Sequence, residues 1–305
     1  EELKARNYSI FSRKLDELMR DRLEKKEQIM LFLNRRGFAG FVSCRQCGEV
    51  VGCPHCSVAL KPHMAGDRVS YLMCHYCGYK MPMPDKCPEC GSPYISSFGI
   101  GTEQVEQMVK KRFSAAKVLR MDADTTTGKN AHQDILKKYS GGDADILIGT
   151  QMIVKGHDFA NVTLVGILAA DLSLNVGDYL AAEKTFQLTT QACGRAGRAD
   201  KPGEVVIQTY QPEHYSIVCA ARNDYKSFYE QEILIREMLQ YPPISNILGV
   251  LVLSENESSV DNLAKILADK MKLYHDVTVL GPTPAAIAKA KDVYRRMVYG
   301  KCTDY

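Results

Sequence analysis

The run Asp145-Ile-Leu-Ile-Gly-Thr150 decides the fold of this chain. An apolar run between polar residues is typical of a short strand that is buried on both faces of a sheet. Comparable runs occur at 29–33, 95–100, 118–121, 162–168 and 204–210. Apolar residues recur at helical spacing at 11–27, 102–112, 129–139 and 179–193. This alternation predicts an α/β fold, in which helices cover both faces of a parallel sheet.

The end of the repeating pattern marks a domain boundary. A long helix is predicted over 213–240, and Tyr241-Pro242-Pro243 stops it, because proline disfavours helix at the preceding residue. Beyond the prolines, strands at 248–253, 277–280 and 293–299 and a helix at 259–274 predict a small α+β domain. The expected domains are a discontinuous α/β lobe over 1–43 and 96–240, an insertion over 44–95, and a partial C-terminal domain over 241–305.

The composition is that of a globular protein with about two domains. The 305 residues are 45% apolar and 25% charged, and the net charge of +3 neither requires nor excludes a nucleic-acid partner. No run of eighteen apolar residues and no leader peptide are found, so we expect no membrane helix and a cytoplasmic location. The chain begins with Glu1-Glu2 rather than Met, and we expect it to be a piece of a longer protein.

Eight of the eleven cysteines form four Cys-x-x-Cys pairs. The pairs are Cys44 and Cys47, Cys53 and Cys56, Cys74 and Cys77, and Cys87 and Cys90. In a reducing cytosol, clustered pairs are typical of metal ligands rather than disulfides. Four thiolates around one ion leave no position for water, so the predicted role is structural. The pattern predicts two zinc ions, with iron as the alternative metal.

The spacing favours one grouping of the four pairs. Seventeen residues separate the second pair from the third, within the range of a zinc ribbon. The prediction is a nested arrangement, with Cys53, Cys56, Cys74 and Cys77 around one ion and Cys44, Cys47, Cys87 and Cys90 around the other. Pairing in sequential order is the alternative. The histidines in or near the turns are less favoured ligands: His55, His63 and His75.

Two polar segments of the α/β lobe carry chemistry. Thr150-Gln-Met-Ile-Val-Lys-Gly156-His-Asp158 follows a buried strand, and Gln191-Ala-Cys-Gly194-Arg195-Ala-Gly197-Arg198 ends a helix. Phosphoryl transfer needs positive charge where negative charge develops on phosphate. Arginine is permanently charged and binds phosphate oxygens with two donors. In isolation, Gly-Arg-Ala-Gly-Arg is equally well interpreted as a basic turn that only packs.

In order and placement, these segments resemble motifs V and VI in the second RecA-like lobe of superfamily 2 helicases. Asn34-Arg35-Arg36, after the first strand, resembles motif IV. The resemblance implies that Arg195 and Arg198 are arginine fingers. It implies that four residues couple ATP hydrolysis to movement: Gly156, Asp158, Gln191 and Gly194. It implies DNA contacts by Asn34, Arg35, Thr102 and Thr150.

A lobe of this kind interrupted by four cysteine pairs resembles the PriA family of replication-restart helicases, over nearly the whole chain. The resemblance implies a bacterial, nucleoid-associated 3′→5′ DNA helicase that uses ATP and Mg²⁺. It implies binding to branched and single-stranded DNA at stalled forks, and restart of replication by primosome assembly. Single-strand-binding protein and helicase-loading primosome proteins are the implied partners, and the family also has the nested zinc pairing. Because this chain lacks a Gly-x-x-x-x-Gly-Lys-[Ser/Thr] phosphate loop, we expect it to be inactive alone.

Two other functions remain open from the residues alone. One is a non-enzymatic zinc-ribbon module that docks nucleic acid or protein, and the other is a metal-dependent redox protein. A basic and aromatic surface on the insertion could stack nucleic-acid bases, although a solvated face is the simpler interpretation. Its residues are Arg45, Lys61, Arg68, Tyr71 and Tyr76.

Overall fold

The chain divides into two compact units, each built from two separate segments. The computed structural model describes residues 7, 9–33, 41–44, 47, 49–56, 58–65, 68–74, 77–98, 101–128, 130–154, 159–170, 174, 178–197 and 201–303. Glu1–Phe38 and Ile100–Ile233 form the first unit, and Ala39–Gly99 and Leu234–Tyr305 form the second. The expected division separates 44–95 from 241–305, and it stays a prediction.

A five-stranded parallel sheet forms the centre of the first unit. Its strands are β1 (Gln28–Leu33), β7 (Val118–Met121), β8 (Ile146–Gly149), β9 (Val162–Leu168) and β10 (Glu204–Ile207), in the order β10-β9-β1-β8-β7. The three central strands β9, β1 and β8 are buried along their whole length. The predicted parallel sheet of continuously apolar strands is therefore confirmed.

Helices cover both faces of this sheet. They are α1 (Arg13–Glu24), α2 (Thr102–Arg112), α3 (Ala131–Ser140), α4 (Gln151–Val154) and α5 (Ala181–Cys193). Alternate residues of β1 point to opposite faces. Ile29 and Leu31 pack in one cluster with α1 and α2, and Met30 and Phe32 pack in the other with α3, α4 and α5. Within the described part of the chain, no helix is both long and apolar enough to span a bilayer.

The single helix predicted over 213–240 is wrong, because the structure contains two helices there. They are α6 (Tyr215–Ala221) and α7 (Tyr225–Leu239). Asn223 between them has a φ of 53°, and asparagine tolerates this left-handed conformation better than most residues. The Asp224 carboxylate then accepts hydrogen bonds from the amide and hydroxyl of Ser227, at 3.0 and 2.6 Å, and so stabilises the start of α7.

The first segment of the second unit contains two small antiparallel sheets. One pairs β2 (Phe41–Cys44) with β6 (Ile95–Phe98), and the other is β3 (Lys61–Ala65), β4 (Arg68–Met73) and β5 (Lys80–Pro82) in that order. The strand predicted at 95–100 is thus present as β6, but it pairs with β2 and not with the parallel sheet. Val42, Leu60 and Leu72 are fully buried and form a small core together with cysteines.

The second segment of this unit is a three-stranded antiparallel sheet with one helix. Its strands are β11 (Asn246–Ser254), β12 (Thr278–Ala290) and β13 (Val293–Cys302), in the order β11-β13-β12, and the helix is α8 (Glu257–Met271). Ala264 and Ala268 of α8 pack against Val298. β12 is much longer than predicted because prolines and register shifts hide its alternating pattern.

Candidate functional site

Each of the four Cys-x-x-Cys turns contains the same kind of backbone hydrogen bond. In each turn, the amide of the first cysteine donates to the carbonyl oxygen five residues later, at 2.8 or 2.9 Å. The four bonds run from Cys44 to Glu49, from Cys53 to Val58, from Cys74 to Tyr79 and from Cys87 to Ser92. This repeated geometry closes each pair into a tight loop, so that its two sulfurs can face the same ion.

Glycine follows the second cysteine in two turns where the backbone is left-handed. Gly78 has a φ of 79° and Gly91 a φ of 70°. Their amides donate to the carbonyl oxygens of Cys74 and Cys87, both at 2.9 Å. A Cβ at either glycine would meet nothing within 4 Å, so the conformation, and not a lack of space, favours glycine.

The eight sulfurs converge into two clusters of four. The outer cluster is Cys44, Cys47, Cys87 and Cys90, and the inner cluster is Cys53, Cys56, Cys74 and Cys77. Within each cluster, all sulfurs lie within 4.8 Å of one another. Among the described residues, neither cluster includes a histidine. The structure thus brings together the cysteines that the nested arrangement predicts, and not those that pairing in sequential order would group.

The distances between sulfurs fit a zinc ion. They are 3.7 Å from Cys44 to Cys90, 3.6 Å from Cys47 to Cys87 and 3.5 Å from Cys53 to Cys77. Zn–S bonds of ~2.3 Å in a tetrahedron space the sulfurs about 3.8 Å apart. Burial and the neighbouring Cys77 and Cys74 thiols raise the pKa of Cys53 to about 12, so a bound cation has to displace protons from this cluster.

Three neighbouring strands of the parallel sheet end side by side, and predicted DNA-contacting residues follow two of them. Phe32 of β1, Gly149 of β8 and Met121 of β7 are register partners. We call the region just beyond these residues the carboxyl edge. Thr150 follows β8 there. Asn34 and Arg35 come directly after the last residue of β1 in the sequence, and they lie outside the described residues.

Thr150 is buried at the carboxyl edge, with 4% of its surface exposed. Within the described part of the chain, its hydroxyl has no hydrogen-bond partner. There is no space for a side chain at the preceding Gly149, because a Cβ there would lie 2.5 Å from the carbonyl oxygen of Met121 and 2.5 Å from Ile153. An unsatisfied buried hydroxyl costs about 1–3 kcal/mol, and the hydroxyls of Thr189 and Thr190 in α5 likewise have no partner among the described residues.

Thr102, another predicted DNA contact, already has a hydrogen-bond partner at this edge. Its hydroxyl donates to Asp122 at 2.6 Å, and Asp122 is the first residue after β7. Burial acts to raise the pKa of Asp122, but hydrogen bonds from Thr102 and Thr125 and the nearby Arg120 outweigh it and lower the pKa. Sequence analysis missed Asp122, although the polar run after the strand was a signal.

The predicted ATP-coupling residues at the end of α5 lie near the amino ends of the strands, on the side of the sheet opposite the carboxyl edge. Gln191 and Gly194 are exposed, and Arg195 is half-buried. The amide of Gly197 donates to the carbonyl oxygen of Val162 at 2.9 Å, and Val162 is the first residue of β9. The structure therefore separates Arg195 from Thr150 by the length of the strands.

Gly203 packs directly against this arginine segment, a contact that sequence analysis missed. A Cβ on Gly203 would lie 2.4 Å from the carbonyl carbon of Ala196 and 2.4 Å from the amide of Gly197. Gly197 itself has a φ of 69°. We call this the glycine contact. It lets the backbone after α5 lie against the start of β10 without a side chain between them.

The remaining predicted residues divide into two groups. Gly156, Asp158 and Arg198 lie outside the described residues, as do Arg45, His75 and Tyr76. Tyr71 of the basic and aromatic surface stacks on His63, with ring centroids 4.7 Å apart, and the Lys80 ammonium lies 5.3 Å from its ring centroid. Cys193 packs on the core, and burial raises its pKa to about 11, in agreement with a packing role.

Three family descriptions match parts of the chain. Residues 95–200 match "Helicase conserved C-terminal domain", and residues 237–304 match "Primosomal protein N C-terminal domain". Residues 53–82, which include the whole inner cluster, match "PriA DNA helicase Cys-rich region (CRR) domain". Together with this last match, the two four-cysteine clusters support two structural zinc ions.

Curated relatives match over nearly all of the chain. The "Replication restart protein PriA" of Bacillus subtilis is 48% identical over 97% of this chain, and that of Synechocystis is 44% identical over 96%. The chain covers only 36% of either relative, so it spans about a third of their length. A crystal structure of the Pyrococcus furiosus Hef helicase domain is 16% identical over 64% of this chain and 25% of that chain, with a TM-score of 0.30.

Proposed function

The chain belongs to the PriA family of replication restart proteins, and we propose that it is the C-terminal part of an ATP-dependent 3′→5′ DNA helicase. The longer protein would recognise stalled forks and restart replication by primosome assembly. Its first lobe would hold the phosphate loop that this chain lacks. The observation that carries the proposal is the carboxyl edge, where predicted DNA contacts follow neighbouring strands and the Thr150 hydroxyl has no partner among the described residues.

The carboxyl edge is the proposed site of the DNA backbone. Ligands of open α/β sheets bind beyond the carboxyl ends of the strands. The Thr150 hydroxyl has no partner in the described residues, and a phosphate oxygen would satisfy it. Thr102 opens α2, and the amides at a helix N-terminus favour a phosphate. Asn34 and Arg35 are proposed to contact the same DNA strand.

The segment at the end of α5 is the proposed nucleotide site of this lobe. Arg195 and Arg198 would approach the γ-phosphate held by the first lobe and stabilise the negative charge that develops there. The two proposed sites lie at opposite ends of the strands of one sheet, and the sheet connects them. The proposed coupling residues are Gly156, Asp158, Gln191 and Gly194. ATP and Mg²⁺ would bind to the longer protein.

The inner and outer clusters are proposed to hold one structural zinc ion each. Every ligand is a cysteine, so no coordination position is left for a reacting water. A redox role would need one reactive pair and not two closed sets of four. The ligands of the outer site would be Cys44, Cys47, Cys87 and Cys90, and those of the inner site Cys53, Cys56, Cys74 and Cys77.

The partners of the longer protein follow from its family. We propose branched and single-stranded DNA at forks, single-strand-binding protein and the primosome proteins that load the replicative helicase. All of these belong to the bacterial cytoplasm and nucleoid.

ATP hydrolysis by the longer protein tests the proposed function. We expect forked DNA with a single-stranded arm to stimulate hydrolysis, and Arg198→Ala to lower kcat by on the order of 1,000-fold, because an arginine finger acts on the transition state. Arg222→Ala, which changes an exposed arginine at the end of α6, is the matched control and should leave kcat unchanged. Hydrolysis by the 305-residue chain alone, or equal effects of the two substitutions, would contradict the proposal.

A further inference from the structure

The turn of the β12–β13 hairpin contacts the inner cluster. Its two residues, Lys291 and Asp292, have φ values of 52° and 61°, and Ala290 pairs with Val293 on either side. Two consecutive left-handed residues are typical of a type I′ turn, which glycine or asparagine would adopt more easily. Lysine and aspartate hold this conformation here, so the surroundings of the turn have to stabilise it.

Three hydrogen bonds and an apolar contact hold the turn against the second cysteine pair. The amide of Lys291 donates to the sulfur of Cys56 at 3.3 Å, and the amide of Asp292 donates to the carbonyl oxygen of His55 at 3.0 Å. The Asp292 carboxylate lies 2.8 Å from Nδ1 of His55. Ala290 packs against the buried core of the insertion. These contacts join parts of the second unit that are more than 200 residues apart in sequence.

The hydrogen bond from Lys291 to Cys56 depends on the position of the Cys56 sulfur. A zinc ion bound by all four cysteines of the inner cluster holds this sulfur and the turn around His55 in place. Without the ion, the four cysteines no longer have a common ligand to hold their positions. The turn therefore binds the zinc-loaded inner cluster better than the zinc-free one. A difference in affinity between two states is what couples two binding events.

We propose that the inner zinc controls the docking of the β12–β13 hairpin on the insertion. Zinc at the inner cluster holds the turn in place, and the docked turn in return slows the loss of that zinc, because such coupling is reciprocal. The outer zinc does not control the turn, since within the described part of the insertion the turn's hydrogen bonds go to His55 and Cys56. The inference rests on the proposed zinc sites and is independent of the helicase activity.

The effect of the inner zinc on the turn is tested by amide hydrogen exchange in two matched cysteine variants of the zinc-loaded chain. Cys77→Ser breaks the inner cluster and Cys90→Ser the outer one, and both residues end a Cys-x-x-Cys-Gly turn with the same backbone bonds. We expect Cys77→Ser to speed exchange of the Lys291 and Asp292 amides on the order of tenfold and Cys90→Ser to leave it unchanged. Equal exchange of these amides in the two variants would overturn the proposal.

The effect of the docked turn on zinc loss is tested by zinc release from a chain with all eight cysteines. Asp292→Ala removes the carboxylate at His55, and Asp276→Ala removes an exposed carboxylate of the same segment as a control. With 4-(2-pyridylazo)resorcinol as the zinc acceptor, we expect Asp292→Ala alone to speed release of one of the two ions several-fold. Release at the rate of the control would overturn the proposal. Elemental analysis giving two zinc ions beforehand separates this result from a failure of the zinc assignment.

Discussion

At the scale of single residues, Thr150 has the most informative environment. Its side chain is buried, yet its hydroxyl finds no partner among the described residues. Thr126 of the same lobe shows the usual case, because its hydroxyl donates to the carbonyl oxygen of Asp122 at 2.6 Å. Two threonines of one lobe thus differ in whether folding satisfies their hydroxyls. This difference allows stability and function to be separated.

Replacement of Thr150 by valine should raise stability and lower function. The change Thr150→Val keeps the shape and removes the unsatisfied hydroxyl, so we expect the free energy of unfolding to rise by about 1 kcal/mol in urea denaturation. In the longer protein, we expect weaker stimulation of ATP hydrolysis by DNA, because a phosphate contact is lost. Thr126→Val is the control and should lower the free energy of unfolding by a similar amount. A loss of stability in Thr150→Val would mean that its hydroxyl is already paired.

At the scale of elements, the position of the arginine segment depends on its contacts with the sheet and not on α5 alone. Gly197 is bonded to the start of β9, and Gly203 lies against its backbone just before β10. Side chains are excluded from this contact, because a Cβ at Gly203 would overlap two backbone atoms. The glycine contact therefore fixes the distance between the proposed arginine finger Arg195 and the sheet.

A methyl group at the glycine contact should displace this segment. We expect Gly203→Ala to lower the free energy of unfolding by about 1–3 kcal/mol and, in the longer protein, to lower kcat more than DNA affinity. Gly128→Ala is the control, since its Cβ would lie 3.6 Å from the nearest side-chain atom, an ordinary contact. Gly→Ala at a compatible site normally stabilises, by about 0.4–1 kcal/mol. A stabilised Gly203→Ala would show that the contact is loose.

The elements with strong periodicity were predictable from the sequence. β7, β9 and α2 have the predicted ends, and β8 and α5 differ from prediction by one or two residues. The break between α6 and α7 was not predictable, because helical spacing continues through Arg222-Asn223-Asp224 without glycine or proline. The partner of β6 was not predictable either, since a short apolar strand has the same sequence in a parallel or an antiparallel pair.

At the scale of the whole molecule, the two units differ in what stabilises them. The first has two large apolar clusters, one on each face of the parallel sheet. Among the described residues, the first segment of the second unit has few fully buried aliphatic residues, such as Val42, Leu60 and Leu72, and cysteines of the inner cluster pack with them. A core of that size cannot offset the conformational entropy of its chain without further cross-links. Metal binding provides them.

Removal of zinc should therefore unfold the insertion and leave the parallel sheet intact. Structural zinc contributes on the order of 10 kcal/mol of apparent binding free energy per site. After treatment with a zinc chelator, we expect amides of 41–98 to lose protection from hydrogen exchange, while those of β1, β8 and β9 keep it. Elemental analysis should give two zinc ions per chain before treatment, and added zinc should restore protection. Simultaneous loss of protection in the sheet would contradict this expectation.

The sequence by itself determined the parallel α/β lobe, the cysteine insertion and the family of this protein. Continuous apolar strands, Cys-x-x-Cys turns and short motifs are local patterns, and local patterns follow from local physical chemistry. Only the tertiary structure decided which residues meet. It grouped the cysteines into the inner and outer clusters, gave Thr102 its partner Asp122, and brought Lys291 to the sulfur of Cys56. These contacts join residues far apart in the chain, and their positions depend on how sheets and turns pack.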